Sequence, residues 1–357
     1  MNFDNLIRKK NILLLPFSWL YKTGVWVYHK LYDFKIVPSY QPPVKTICVG
    51  NLSVGGTGKS PMVEYLLHLL VNAGQETFSP QVAVVSRGYK RKSKGLVVAD
   101  AQSTTSDIGD EPMQFHQKFP QVKIVVHEQR AKGIEIIFKQ FPEINVIILD
   151  DAFQHRAVTA EFNILLTEYQ NIFTEDWYLP AGTLRDLKSN YKRANIIVVT
   201  KCDIALAEAE KQRIIESIQP QPYQKVFFTT FDYGIAYQIF DKQTISLSNV
   251  KGVVLITGIA NPQPIIDYLG QYECTVEHLQ FADHHHFSTN DIGDILGTYQ
   301  ALNTENKIIL TTEKDAVRLA DFSELRDFPV YALPIRHRFL FDEGGIFDEW
   351  VLRYVGR

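Results

Sequence analysis

Residues 45–60 read KTICVGNLSVGGTGKS: a short apolar run, a glycine-rich turn, then a Lys-Ser pair opening a helical pattern. A strand, a glycine turn and a helix start in that order make a phosphate-binding loop. The first turn of a helix carries backbone N–H groups without partners, and the helix dipole adds positive potential there, so an anion is favoured at that end. Gly55, Gly56 and Gly58 remove the Cβ atoms that would keep phosphate oxygens from those donors, while Ser53, Val54 and Thr57 complete the turn. Lys59 is placed to reach the β- and γ-phosphates and Ser60 to put its hydroxyl on Mg²⁺. The general pattern G-x-x-x-x-G-K-[ST] has glycine where this chain has Ser53.

Downstream of the loop, β-branched runs at 82–86, 123–126, 145–150, 163–166 and 196–200 alternate with longer helical patterns. This predicts an α/β fold, a mostly parallel sheet of the P-loop NTPase kind with helices on both faces. Such sheets bind ligands beyond the carboxyl ends of their strands, and chemistry-bearing residues collect there: SRGYKRKSKG after Val85, HEQR after Val126, DDAFQHR after Leu149 and TKCD after Val199. Asp150 and Asp151 close the run NVIILDD, the form of a strand whose carboxylate holds Mg²⁺ directly or through water. Gln154, His155 and Arg156 follow within one turn, to orient nucleotide or to start a helix. Asp110, after Gly109, has the propensity of a helix N-cap. Arg185, in LPAGTLRD, is a candidate to neutralise charge on a transferring phosphoryl group. TKCD, 200–203, is similar to the guanine-reading element of P-loop GTPases, and keeps a GTPase of regulatory or metal-delivery type as the rival reading.

Bulk properties narrow the class. At 357 residues the chain is long for one unit, and its net charge of −3 provides no overall basic field for nucleic acid. Cys48, Cys202 and Cys274 are far apart and make neither a disulfide framework nor a zinc knuckle. Residues 1–40 are aromatic and apolar with interleaved lysines, too interrupted for a membrane span and without a small-residue cleavage site after Arg8-Lys9-Lys10. Trp19, Tyr21, Trp26, Tyr28 and Tyr32 beside Lys22, Lys30 and Lys35 suit a helical segment lying in a bilayer interface, or an amphipathic helix docked on the protein's own core. The expected organisation is this segment (1–40), a phosphate-loop domain (41–218), a linking β-ribbon (219–250) and a smaller α/β lobe (251–357). In that lobe, Asp283-His284-His285-His286 in extended chain would point successive rings to opposite faces, so without a sharp turn they cannot all hold one metal.

Eight segments in order, LLLPFSWLYKTGV, VGNLSVGGTGKSP, VSRGYKRKSKG, GDEP, ILDDAFQHR, LPAGTLRD, FADHHHFS and TTEKDAVRL, resemble the tetraacyldisaccharide 4′-kinases, and Ser53 fits that family's own loop. The resemblance implies transfer of the ATP γ-phosphoryl, with Mg²⁺, to the 4′-hydroxyl of tetraacyldisaccharide 1-phosphate, giving lipid IVA. It implies a peripheral enzyme at the cytoplasmic face of the inner membrane, with no nucleic acid and no obligate protein partner. It also implies Asp110 as base, His284 assisting it (His285 and His286 being alternatives), and Glu111 tuning the pair. Lys59, Ser60, Asp151 and Gln154 match positions for triphosphate and metal, with Asp150 adjacent, and Arg130 and Arg185 would stabilise transition-state charge. Because Asp110 and His284 fall in different lobes, the pair is expected to be complete only when the lobes close.

Overall fold

The computed structural model describes residues 10–72 and 80–356, so Arg8 and Lys9 of the basic N-terminal run lie outside the described residues. The first helix, α1 (Leu15–Asp33), carries Pro16 in its first turn, where a missing N–H is no loss. The phosphate loop runs from β1 (Lys45–Asn51) to α2 (Lys59–Asn72). There follow β2 (Val82–Ser86), β3 (Val97–Val98), α3 (Thr105–Ile108), α4 (Asp110–Lys118), β4 (Lys123–Val126), α5 (Arg130–Gln140), β5 (Val146–Asp150), β6 (Phe162–Glu168), β7 (Ile196–Thr200), α6 (Glu208–Ile218) and β8 (Lys225–Tyr233).

These strands form a sheet in the order β3-β4-β2-β5-β1-β6-β7-β8, with a last edge strand supplied from the C-terminal region. Every internal pairing among β4, β2, β5, β1, β6, β7 and β8 is parallel, with β3 antiparallel at one edge. Strands buried on both faces read as unbroken apolar runs, which is why β2, β5 and β7 were legible from sequence. Alternate residues of β1 confirm the two faces. Ile47 and Val49 pack with Met62, Leu66 and Phe115 of α2 and α4, while Cys48 packs with Ile134, Ile137 and Ile214 of α5 and α6.

A second sheet contains β9 (Ala236–Gln238), β10 (Thr244–Ile245), β11 (Gly252–Thr257), β12 (Thr275–Gln280), β13 (Lys307–Thr312) and β14 (Val330–Leu333), in the order β10-β9-β14-β13-β11-β12. Its helices are α7 (Gln263–Leu269), α8 (Thr289–Ala301) and α9 (Glu313–Leu319). Ser288 and Asp291 form a capping box that starts α8. The chain then returns to the first sheet: β15 (Ile335–Phe339) pairs antiparallel with β8, and α10 (Gly344–Val355) packs Phe347 and Val351 into the core beside α2. The expected ribbon at 219–250 and lobe at 251–357 therefore differ from the structure in two places. Residues 225–233 are a parallel strand of the large sheet, and residues 335–355 belong to its edge and face.

The two sheets meet where α9 packs on α4. At one end of that contact Lys118 Nζ lies 2.8 Å from Glu313 Oε1 and is also paired with Glu64 of α2, whose other oxygen accepts from Gln114 Nε2 at 2.7 Å. Tyr237 OH donates to Glu313 Oε1 at 3.0 Å. Two buried carboxylates thus share one lysine, and burial together with the charge of Glu313 pushes Glu64 up to about 7 despite Lys118. A carboxyl raised in the folded state stabilises the fold below its unfolded value, and that contribution is lost as pH rises toward 7. Glu64→Gln, which stays neutral, is expected to gain stability over the native chain as pH goes from 5 to 8. The check is the difference in melting temperature across that range; a pH-independent difference contradicts the shared-lysine reading.

Candidate active site

The phosphate loop is held from three sides. Asn51 at the end of β1 donates its side-chain amide to Thr57 Oγ1 (2.9 Å), and Thr200 at the end of β7 donates its hydroxyl to the Thr57 carbonyl (2.9 Å). His337 of β15, fully buried, donates from Nε2 to the Gly58 carbonyl at 2.9 Å, so its Nδ1 is left to accept from Thr229 Oγ1 at 3.0 Å. Burial pushes His337 down to about 4, which keeps that ring neutral. Gly58 has φ +87 and a Cβ there would touch the His337 ring at 3.1 Å, so glycine is required by conformation and by space. Ser53 needs no such freedom. It has no positive φ, it forms a bridge with Leu184, and Val54 N donates to Thr183 O at 2.8 Å. The segment LPAGTLRD therefore lines the loop that Ser53 opens.

Beyond the loop stand the two aspartates of β5. Asp151, with φ +43 just past the strand, is paired with Arg185 and lies 3.9 Å from Lys59 Nζ. Burial alone would raise Asp151, but Lys59 and Arg185 outweigh it and hold the group ionised, well below the ordinary carboxylate range. Asp150 behaves oppositely. Burial, then the charges of Glu111 and Asp151, push it up to about 7 against Lys59, and its Oδ2 accepts from Ser86 Oγ at 3.1 Å. Its Oδ1 is buried without a hydrogen-bond partner. An orphaned carboxylate oxygen beside a lysine and an acidic neighbour fits a hydrated divalent cation. Mg²⁺ takes one or two carboxylates and completes its shell with phosphate oxygens and water, and the aspartate pair offers two.

Arg130 lies under this pair and not apart from it: its guanidinium donates to the carbonyls of Asp151 (2.9 Å) and Asp150 (3.3 Å). Gln154 donates its amide to the Asn51 carbonyl, tying the turn after β5 to the end of β1.

Asp110 opens α4. Gly109, with φ +92, occupies the N-cap position expected for Asp110, because a Cβ at 109 would meet Tyr89 O at 3.0 Å. The next residue, Glu111, accepts the Ser60 hydroxyl at 2.7 Å, which sets Asp110 directly beside the phosphate loop. From the second sheet, His284 Nδ1 comes within 3.0 Å of Asp110 Oδ2, and Arg318 Nε within 3.7 Å. Burial works to raise Asp110, but the His284 hydrogen bond and the charges of Arg318 and Lys314 offset it, leaving the group below the ordinary carboxylate value. The pair is assembled in this structure, in which α9 packs on α4. The histidine run is a turn and not extended chain: His284 has φ +58, and His285 points away to Asp291 at 3.0 Å while stacking on Phe281.

Sequence reasoning did not single out His337, Asn51, Lys314 or Arg318 as site residues. The segment TTEKDAVRL, one of the eight that carry the resemblance, supplies the last two. The TKCD element, read alone, suggested guanine; in the fold Thr200 holds Thr57, Lys201 pairs with Glu168, Cys202 is buried, and Asp203 accepts from Ala205 N at 2.9 Å.

The helix α1 abuts this site. Buried Ser18 donates to Tyr178 O (2.8 Å) and accepts from Ala181 N (3.0 Å), Tyr21 OH donates to Arg185 O (3.0 Å), and buried His29 is paired with Asp186. These residues recur at helical spacing and define the docked stripe. The rest of the segment exposes Leu13, Phe17, Trp19, Leu20, Trp26 and Phe34, with Trp19 75% exposed. No helix among the described residues is long and apolar enough to cross a membrane.

Comparison with known proteins agrees with this architecture along the whole chain. The family model described as tetraacyldisaccharide-1-P 4′-kinase matches residues 10–355. The chain is 42% identical to the tetraacyldisaccharide 4′-kinase of Bacteroides thetaiotaomicron, covering 96% of this chain and 92% of that one. It is also 42% identical to the tetraacyldisaccharide 4′-kinase of Flavobacterium johnsoniae, covering 98% of each. Among solved structures it resembles LpxK from Aquifex aeolicus, an "apo" form in complex with ATP, with TM-score 0.73 and 28% identity over 96% of this chain and 98% of that one. A phosphate loop faced by an aspartate pair, matched to that family from end to end, leaves one assignment: the chain belongs to the tetraacyldisaccharide-1-P 4′-kinase family.

Proposed function

We propose that this protein transfers the γ-phosphoryl group of Mg·ATP to the 4′-hydroxyl of tetraacyldisaccharide 1-phosphate, forming lipid IVA. The observation that carries the site assignment is the Ser60–Glu111 hydrogen bond of 2.7 Å, which ties the helix bearing Asp110 to the loop that would hold the triphosphate. Asp110 accepts the hydroxyl proton as the sugar oxygen bonds to the γ-phosphorus, and ADP leaves with the electron pair of the broken P–O bond. Lys59 and the backbone of residues 53–58 hold the β- and γ-phosphates, with Gln154 and Asn51 keeping the neighbouring turns in register. Ser60, Asp150 and Asp151 would hold Mg²⁺, which when bound neutralises charge on the β- and γ-phosphates. Arg185, partly exposed and anchored on Asp151, is the cation best placed to meet the transferring group. Arg130 supports the aspartate pair from beneath through its two carbonyl contacts.

The acceptor's four acyl chains make the enzyme come to the bilayer, since each buried CH₂ is worth about 0.8 kcal/mol. The exposed aromatic and aliphatic side chains of α1 support a peripheral location at the cytoplasmic face of the inner membrane. Between α1 and Arg185 an apolar cleft of about 340 Å³, lined by Leu20, Tyr21, Val25 and Tyr28, leads from that surface toward the site. Neither a nucleic acid nor an obligate protein partner is part of this reading. The guanine alternative is disfavoured by the internal partners of Lys201 and Asp203.

Two outcomes follow. In detergent micelles with Mg²⁺, ATP should phosphorylate the acceptor and GTP should not; Lys59→Ala and Asp110→Asn should each lower kcat by roughly 10²–10⁴ with the melting temperature unchanged. GTP hydrolysis without lipid product, or a fully active Asp110→Asn enzyme, overturns the assignment. In vesicle flotation, the double variant Leu13→Asp, Trp19→Asp should bind anionic vesicles on the order of tenfold more weakly, because both side chains are exposed and neither lines the cleft. Equal flotation removes α1 from the membrane contact.

A further inference from the structure

The segment TTEKDAVRL builds α9, and its basic residues converge on the Asp110–His284 pair. Lys314 Nζ lies 2.9 Å from His284 Nε2 and 3.1 Å from Asp283 Oδ1. An ammonium has three donors and no acceptor, so the ring nitrogen facing it must present a lone pair. That places the imidazole proton on Nδ1, where it donates to Asp110 Oδ2 at 3.0 Å. We propose that Lys314 is a positioning residue of the transfer reaction: it fixes His284 as the neutral tautomer protonated on Nδ1, so that His284 serves Asp110 as a donor while the carboxylate alone takes the hydroxyl proton.

The surroundings support this division of work. Asp283 holds the Lys314 ammonium in place from the histidine's own turn, and the left-handed backbone at His284 (φ +58) aims the ring at α4. The groups facing the ring are Asp110 from α4, Lys314 from α9, Asp283 from the turn, and the Tyr89 ring from the loop after β2, with centroids 5.4 Å apart. Arg318, also from α9, faces Asp110, donates to the His285 carbonyl at 2.6 Å and pairs with buried Asp315. Asp315 in turn accepts from Gly258 N at 2.9 Å, and His284 N donates to Gly258 O at 3.1 Å, so the cation, the turn and the strand end are one unit. With Lys314 present, a second proton on His284 would face an ammonium at hydrogen-bond distance. Without it, Nε2 is open to protonation, and an imidazolium beside Asp110 weakens the base.

The inference rests on Asp110 being the base, and its test is separable from that reading. Full-length protein is labelled with ¹⁵N in the histidine rings, and the His284 signals are identified by their loss in His284→Gln. The wild-type ring is expected to show the Nδ1–H neutral tautomer at pH 7.5. In Lys314→Met, Nε2 should take up its proton at a higher pH than in the wild type, and the acidic limb of kcat should move up by about one pH unit, a tenfold loss of rate on that limb. Lys314→Arg, which keeps a donor there, should restore both. Lys314 is partly exposed, so an unchanged melting temperature is expected for either variant and separates positioning from folding. An Nε2–H tautomer or an imidazolium in the wild type at pH 7.5, or a Met variant with a wild-type His284 spectrum, overturns the proposal. The spectra need no turnover; a fully active Asp110→Asn enzyme would instead sink the assignment of the base.

Discussion

Helix α4 is gripped at both ends by the second sheet, and the site depends on that grip. Its first residue, Asp110, meets His284, and its last, Lys118, meets Glu313, so α9 and the histidine turn clamp a nine-residue rod. The same helix is joined to the phosphate loop's own helix three times, by Ser60–Glu111, Glu64–Lys118 and Glu64–Gln114. Asp110, the phosphate loop and the second sheet are thereby one mechanical unit. A relative motion of the two sheets must either carry α4 along or break a charged contact in low dielectric.

Electrostatics divides labour among acidic groups that are near neighbours. Asp151 is held ionised by Lys59 and Arg185, whereas Asp150, one residue earlier and fully enclosed, is pushed up to about 7. Asp110 is drawn down by His284 and the cations of α9 in spite of burial. Adjacent groups pushed in opposite directions by their surroundings are suited to different tasks. A carboxylate kept ionised can anchor Lys59 and Arg185. A buried one with an unpartnered oxygen gains most when a divalent cation arrives.

Much of this was readable in the chain before any coordinates. Strands enclosed on both faces leave continuous apolar runs, so β1, β2, β5 and β7 and the residues at their ends could be named, including Lys59, Asp150 and Asp151. Asp110, Arg185 and His284 carried roles mainly through ordered resemblance, since a lone aspartate after glycine is usually just a helix start. What sequence could not show was where distant segments meet. Nothing local assigns 225–233 and 335–339 to the edge of the first sheet, because strand pairing is a long-range choice. His337 was hidden for that reason: its partners, the Gly58 carbonyl and Thr229, lie 279 and 108 residues away. The sharp turn at the histidine run was likewise not fixed by sequence, because the left-handed backbone at His284 is held by the Gly258 strand end, 26 residues earlier.

The central claim is that Asp110 and His284 act as a unit across the contact between the two sheets. A double-mutant cycle on kcat for phosphoryl transfer, using Asp110→Asn, His284→Gln and the combined variant, tests it most directly. If the carboxylate and imidazole work through each other, the combined variant should be no more than about threefold slower than the slower single variant. Losses that multiply, so that the combined effect equals the product of the two, would mean that the residues act independently and that the 3.0 Å contact is not the catalytic coupling.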